Sequence, residues 1–239
     1  MTRRLYWQDD HCYSAEATVV AVASGEVACD QTCFYPGGGG QPPDQGWIVS
    51  SGGGGERWAV TAGRADAEGV VWHQTGCATV VGSVVRLEVD EARRVALARY
   101  HTVLHVLNTI VLRDYCGCIT GAQIGVDYSR IDFNLPGFSA EMREELQRKV
   151  NAVLEGDHPI RAYTLPEDEF RARPDLLRTL EAKPPVVEGR VRVVEIAGFD
   201  AQACGGTHLP STKGLGRFSV TKTENKGKLN KRLYVHLAV

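Results

Sequence analysis

No N-terminal apolar stretch of this chain resembles a signal peptide, and no uninterrupted apolar run approaches the length of a membrane span. Excess charge of one sign is also missing. The net charge of −2 at pH 7 argues against binding nucleic acid with the whole surface, while leaving room for a local basic face. Nor is there a disulfide framework. The seven cysteines (12, 29, 33, 77, 116, 118 and 204) are odd in number and irregularly spaced, in a chain too long to need stapling. Reduced thiols in a cytoplasmic protein are the expectation. The GxxxxGK[ST] pattern of a nucleotide-phosphate loop does not occur, and no Ser-His-Asp arrangement stands out. What is present is ordinary for a globular protein: 239 residues, 43% hydrophobic and 23% charged. That is enough for one large domain or two modest ones.

Residues 1–90 read as β structure. Short β-branched runs at Ala17–Ala23, Trp47–Ser50, Trp58–Thr61, Val70–His73 and Val84–Val89 alternate with glycine-rich breaks. The spacing predicts a small β-barrel or sandwich. The tract Ser51-Gly-Gly-Gly-Gly-Glu56 has a linker's composition but falls between two strand-like runs, which predicts a hairpin tip. From 91 onward the pattern is mixed α and β. It predicts a helix ending near Tyr115, a strand at Tyr128–Leu135 and a helix opened by Ser139 and stopped at Gly156. A helix over 166–183, a strand at Arg190–Ile196 and a terminal hairpin from Arg217–Thr223 and Arg232–Leu237 complete the reading. The expected fold class is mixed α and β, with a barrel domain over 1–90 and an α+β domain over 91–239.

Chemistry concentrates in three places. In the first helix Val95, Ala98, Leu104, Leu107 and Val111 recur at helical spacing, uninterrupted by Pro or Gly. His101 and His105, four apart, share a face, so both imidazoles can reach one ion. About a hundred residues later Cys204-Gly-Gly-Thr-His208 offers a thiolate and a third imidazole. Gly205-Gly206 inside that bracket demands a tight turn or a close backbone approach. Three His and one Cys suit zinc. Two packed histidines, or a closed structural site, are the plainer alternatives, and the His-rich ligand set leans toward chemistry. The second place is the loop over 30–46, whose run of four glycines at 37–40 lets backbone N–H groups approach a ligand, an inert ordered loop being the alternative. The third is the terminal hairpin. Lys213, Arg217, Lys222, Lys226, Lys228, Lys231 and Arg232 stand there against Glu224 alone, suited to phosphates or to deterring edge pairing.

Taken in order, the motifs are Asp30-x-Thr32-x-Phe34-Tyr35-Pro36 with Gly-Gly-Gln41-x-x-Asp44-x-Gly46, then His101-Thr-x-x-His105, then Cys204-Gly-Gly-Thr-His208. This set resembles the editing domain of alanyl-tRNA synthetase and, more closely, its free-standing relatives, the AlaX trans-editing proteins. The likeness takes in Arg130-Ile-Asp-Phe133 and the Lys226-Gly-Lys-x-x-Lys-Arg232 ending, and covers nearly the whole chain. The glycine-rich N-terminal region makes it similar to the longer AlaX forms. The resemblance implies a β-barrel joined to an α+β editing domain of the threonyl/alanyl type. It also implies one Zn2+ per chain on His101, His105, Cys204 and His208, and hydrolysis of a mischarged aminoacyl-tRNA, usually Ser-tRNA(Ala) or Gly-tRNA(Ala). Thr32 matches the threonine that senses the serine hydroxyl. Gln123 matches a helper glutamine, though its spacing to Arg130 is shorter than in the synthetase. Substrate contacts would fall on Thr32, Gly39, Gly40, Gln41, Asp44, Gly205 and Gly206, and tRNA contacts on Lys222, Lys226, Lys228, Lys231 and Arg232. The expected partner is the 3′ aminoacyl end of a tRNA, met by a monomer with no nucleotide cofactor and no membrane.

An aminoacyl ester is already activated, so its hydrolysis needs a positioned water, some charge stabilisation and exclusion of the correct substrate. Zinc could polarise the ester carbonyl, lower the pKa of a water, or hold the α-amine. Serine is alanine plus a hydroxyl, which a purely apolar pocket rejects poorly, so a hydrogen-bonding group is expected in the site. Two other readings stand beside this one. They are a deacylase for threonyl or another hydroxylated aminoacyl-tRNA, and a zinc-stabilised RNA-binding module without catalysis.

Overall fold

The β-branched runs of the first ninety residues pair into strands whose alternate side chains turn inward. In the computed structural model, which describes residues 1–51, 55–135, 137–178, 184–227 and 229–238, they are β1 (Arg3–Arg4), β2 (Ser14–Ala23), β3 (Glu26–Cys29), β4 (Gln31–Thr32), β5 (Gly46–Ser50), β6 (Arg57–Ala65), β7 (Val71–Thr75) and β8 (Val84–Val89). Six of them close in the order β2-β3-β7-β6-β5-β8. Ala17, Val19, Val27, Cys29, Ile48, Val60, Val85 and Leu87 fill the interior. The barrel expectation holds over the sandwich. β3 escaped the sequence reading because it is only four residues long. It is joined to β2 by the two-residue turn Ser24-Gly25, with Gly25 at a φ of 75°. Gly46 has no alternative: a Cβ there would lie 2.0 Å from the Glu88 carbonyl oxygen. The glycine tract joins β5 to β6, which pair antiparallel; its residues 52–54 lie outside the described residues.

Two compact units result, residues 1–38 with 42–95, and residues 39–41 with 96–239. The second is built on α1 (Glu91–Tyr115), which Asp90 caps by accepting from the Arg93 N–H at 3.0 Å. Every residue from Tyr100 to Val111 is buried, so the helix is a core element on all faces. It is long and apolar enough to cross a membrane by length and composition, yet its most apolar window is 78% buried within the protein. Cys116, at a φ of 55°, ends it.

β9 (Cys118–Gln123), β10 (Ser129–Asn134), β15 (Arg217–Lys226) and β16 (Asn230–Ala238) form an antiparallel sheet ordered β15-β16-β10-β9. Between them in sequence lie α2 (Ala140–Glu155), β11 (Ile160–Pro166), α3 (Glu167–Arg171), β12 (Val186–Val187), β13 (Arg190–Ile196) and β14 (Asp200–Ala203). Strand β13 pairs with β11 on one side and with β12 and β14 on the other. Ser139 caps α2 as expected, accepting from Met142 N–H at 3.2 Å, and Leu146, Val150 and Leu154 make its buried stripe. The helix expected over 166–183 is a correction. It contracts to α3 and a single 3-10 turn at Pro174–Leu176, since Pro174 has no N–H and disfavours helical Arg173. Residues 179–183 lie outside the described residues. Strands β9, β11 and β14 were not anticipated.

Candidate metal centre

Helix α1 sets His101 and His105 one turn apart, their ring centroids 5.0 Å from each other. The chain leaves β14 at Ala203 and turns through Cys204-Gly-Gly-Thr-His208, which brings the His208 ring within 4.4 Å of both. The Cys204 sulfur lies 3.4 Å from His101 Nε2 and 3.4 Å from His208 Nε2. One donor atom from each of the four residues falls within 4.8 Å of all the others. The three histidines are buried and the cysteine is half-buried.

Two local features make this turn possible. An ideal Cβ on Gly206 would lie 2.3 Å from His101 Cε1 and 2.6 Å from Nδ1, so only glycine lets the backbone pass the ring. Arg192 of β13, 1% exposed, donates to the carbonyls of Gly206 at 2.7 Å and Cys204 at 3.2 Å, holding the bracket that carries two of the four donors. Burial, assisted by this guanidinium, pushes His101 down to about 3. Burial likewise holds His105 and His208 well below the ordinary imidazole range, with the neighbouring rings and Arg192 adding to it. All three imidazoles are therefore neutral near pH 7, the form that ligates a metal.

Metal binding can be tested on the donors themselves. His101 Nδ1 faces the Gln41 side-chain oxygen at 2.8 Å and His208 Nδ1 faces Thr102 Oγ1 at 3.2 Å, which leaves both Nε2 atoms toward the thiol. His105 Nδ1 is buried with no hydrogen-bond partner among the described residues. Oriented imidazoles, one thiol and an orphaned ring nitrogen fit a borderline-soft ion such as zinc.

The other expected site residues fall in different settings. Thr32, fully buried in the first unit, bonds His73 Nε2 at 2.8 Å and accepts from Phe34 N–H at 3.0 Å. His73 Nδ1 sits 3.0 Å from the Val27 carbonyl, to which it must donate, so its Nε2 is an acceptor and the Thr32 proton goes to it. Asp44 accepts from Tyr35 N–H at 2.6 Å and forms a buried pair with Arg94, both side chains 1% exposed. Its carboxylate thus staples the glycine-rich loop. Gly39, Gly40 and Gln41 belong to the second unit. Gly40, at a φ of 85°, has Ala122 O only 2.7 Å from where a Cβ would be, and its own carbonyl accepts from Ile124 N–H at 2.8 Å. Gly205 separates Cys204 from Gly206 in the turn. Gln123 is exposed at the end of β9, opposite Arg130.

The basic hairpin is less free than its composition promised. Lys222 pairs with Glu224 at 2.6 Å, and Lys231 bonds Asn225. Arg232 grips Asp132 with two bonds of 2.7 and 2.6 Å, a partner 100 residues away that a local charge count overlooks. Lys226 is exposed, and Lys228 lies outside the described residues. The sequence reading missed Arg94, Arg192 and Thr102. The one signal for Arg192 is an arginine set between Val191 and the pair Val193-Val194 in β13.

The site is a group of three buried histidines and a half-buried cysteine able to hold a metal ion, and comparison with known proteins shows the family of the chain. Residues 191–234 match the family described as threonyl and alanyl tRNA synthetase second additional domain. The chain is 34% identical over 237 residues to the alanyl-tRNA editing protein AlaX-M of Saccharolobus solfataricus, covering 98% of each chain. Its identity to the protein of the same name from Methanosarcina mazei is 36% over 245 residues, 99% of this chain and 97% of that one. It is also 37% identical over 224 residues to an alanine–tRNA ligase of Thermofilum pendens, covering 92% of this chain but 24% of the ligase. The chain belongs to the AlaX-M family of alanyl-tRNA editing proteins.

Proposed function

We propose that this protein is a trans-editing deacylase that hydrolyses the ester of mischarged Ser-tRNA(Ala), Gly-tRNA(Ala) or both. The observation that carries the proposal is the convergence of His101, His105, Cys204 and His208 in a chain of this family. These four would hold one zinc ion. When bound, zinc supplies Lewis acidity and a fixed point for orienting the aminoacyl group. The chain's own residues supply the rest. Burial keeps three imidazoles unprotonated, Arg192 fixes the turn that presents Cys204 and His208, and Gly206 lets the backbone pass close against the His101 ring. In the reaction itself a water adds to the ester carbonyl and the ribose 3′ oxygen departs as a hydroxyl. Among the expected tRNA contacts that the structure describes, exposed Lys226 is the one offered to phosphates, because Lys222 pairs with Glu224, Lys231 bonds Asn225 and Arg232 is committed to Asp132.

Deacylation of Ser-tRNA(Ala), Gly-tRNA(Ala), Ala-tRNA(Ala) and Thr-tRNA(Thr), with and without added zinc, tests this reading. Rapid loss of the seryl or glycyl ester with the alanyl ester spared is the expected result. Loss of the threonyl ester alone moves the substrate, and no hydrolysis by folded, zinc-replete protein refutes the enzyme. Thr32 is fully buried with its proton given to His73, so serine sensing through it requires that bond to be exchanged. Thr32→Val should then raise activity on Ala-tRNA(Ala) relative to Ser-tRNA(Ala), and an unchanged ratio refutes that role.

A further inference from the structure

Gln41 belongs with Gly39 and Gly40 to the second unit, and its hydrogen bonds determine more than its own position. Gln41 is 2% exposed. Its Oε1 accepts from the Thr207 backbone N–H at 3.1 Å, its Nε2 donates to Thr207 Oγ1 at 2.9 Å, and Oε1 also lies 2.8 Å from His101 Nδ1. An amide's oxygen and nitrogen can in general be exchanged by a flip, but here they cannot. The Thr207 N–H can only donate, so the atom facing it must be the oxygen. The same oxygen faces His101 Nδ1. An oxygen cannot donate, so Nδ1 must carry the proton. In a neutral imidazole one protonated nitrogen leaves the other with a lone pair. That other nitrogen is Nε2, 3.4 Å from the Cys204 sulfur at the centre of the cluster.

We propose that Gln41 is a positioning residue that fixes the Nδ1–H tautomer of His101, so that Nε2 faces the donor cluster with its lone pair free. His101 is the histidine of the cluster for which the surroundings force this choice. Thr102 Oγ1, beside His208 Nδ1, can give or accept, and His105 Nδ1 has no partner among the described residues. Gly206 belongs to the same device, since a Cβ there would lie 2.8 Å from Gln41 Oε1 as well as against the His101 ring. The device couples a loop 60 residues upstream of the ligand to the turn 166 residues downstream of Gln41. The tautomer stands on hydrogen bonds alone; its consequence for metal affinity rests on the zinc reading above.

Two-bond 1H–15N correlation spectra of the full chain, recorded before and after addition of zinc, report which ring nitrogen of His101 is protonated. Wild type and Gln41→Glu, whose carboxylate keeps the acceptor, should both show Nδ1–H. Gln41→Leu should show an Nε2–H population in the zinc-free protein. Zinc affinity, measured against a chromogenic chelator, should fall roughly 10–100-fold in Gln41→Leu and recover in Gln41→Glu. Wild-type His101 protonated on Nε2 overturns the proposal, as does a folded Gln41→Leu variant that keeps pure Nδ1–H or binds zinc as tightly as wild type. If the leucine variant does not fold, the wild-type spectrum still decides. Failure of wild type to bind zinc would refute the metal reading, and the zinc-free spectrum would still judge the role of Gln41.

Discussion

Replacing Asp44 by asparagine keeps the size of the side chain and removes one charge from a place where water cannot compensate. Asp44 and Arg94 are each 1% exposed. The Arg94 Nε is 2.9 Å from both carboxylate oxygens, and the same guanidinium donates to the carbonyls of Cys33 at 2.7 Å and Asp10 at 3.1 Å. The neutral amide would leave a buried cation without its counter-charge, a loss of about 3–5 kcal/mol. For a protein of this size that corresponds to a fall in Tm of roughly 6–20 °C. Denaturant titrations of Asp44→Asn, Arg94→Met and the double variant Asp44→Asn/Arg94→Met make the argument a cycle. Each single change should be strongly destabilising. The double change, which removes both charges together, should cost clearly less than the two added. A loss below about 1 kcal/mol for Asp44→Asn would refute the claim that this pair staples the glycine-rich loop to the start of α1.

Two further outcomes follow from the same geometry. Gly206→Ala places a methyl carbon 2.3 Å from His101 Cε1, so the ring must move; zinc affinity should fall roughly 10–100-fold with little loss of secondary structure. A chelator competition showing unchanged affinity refutes the close approach. Burial holds His73 down to about 4, below its value in an unfolded chain, so the native state resists a proton that the unfolded state accepts. The stability that His73 contributes should therefore be whole above pH ~6.5 and fall by roughly 3 kcal/mol as the pH drops to about 4. Denaturant midpoints across that range check it, and His73→Gln should flatten the slope; an identical slope would discard His73 as a source.

Much of this was legible in the sequence because it is periodic or local. Alternation gave the barrel strands, helical spacing put His101 and His105 on one face, and the Gly-Gly bracket announced a close approach that the His101 ring now explains. The rest depends on partners distant in sequence. Nothing near Asp44 indicates that Arg94 will neutralise it, and nothing near Arg232 points to Asp132. Gln41 entered through the resemblance as a substrate contact, and its bonds to His101 and Thr207 could not be read from the sequence. The helix expected past residue 171 failed for a local reason, the proline at 174.

The ring of strands in the first unit restricts how that unit can take part in recognition. A sheet with an open border offers a passing strand a row of unmet amides and carbonyls, and many proteins are caught that way. Here the ladder returns from β8 to β2, and no strand of the six is left at a border. Whatever these six strands grip must be held by side chains and by the loops between them. Those loops can be exchanged, lengthened or retuned without breaking a single rung, which leaves such a unit free to change what it recognises while keeping its frame.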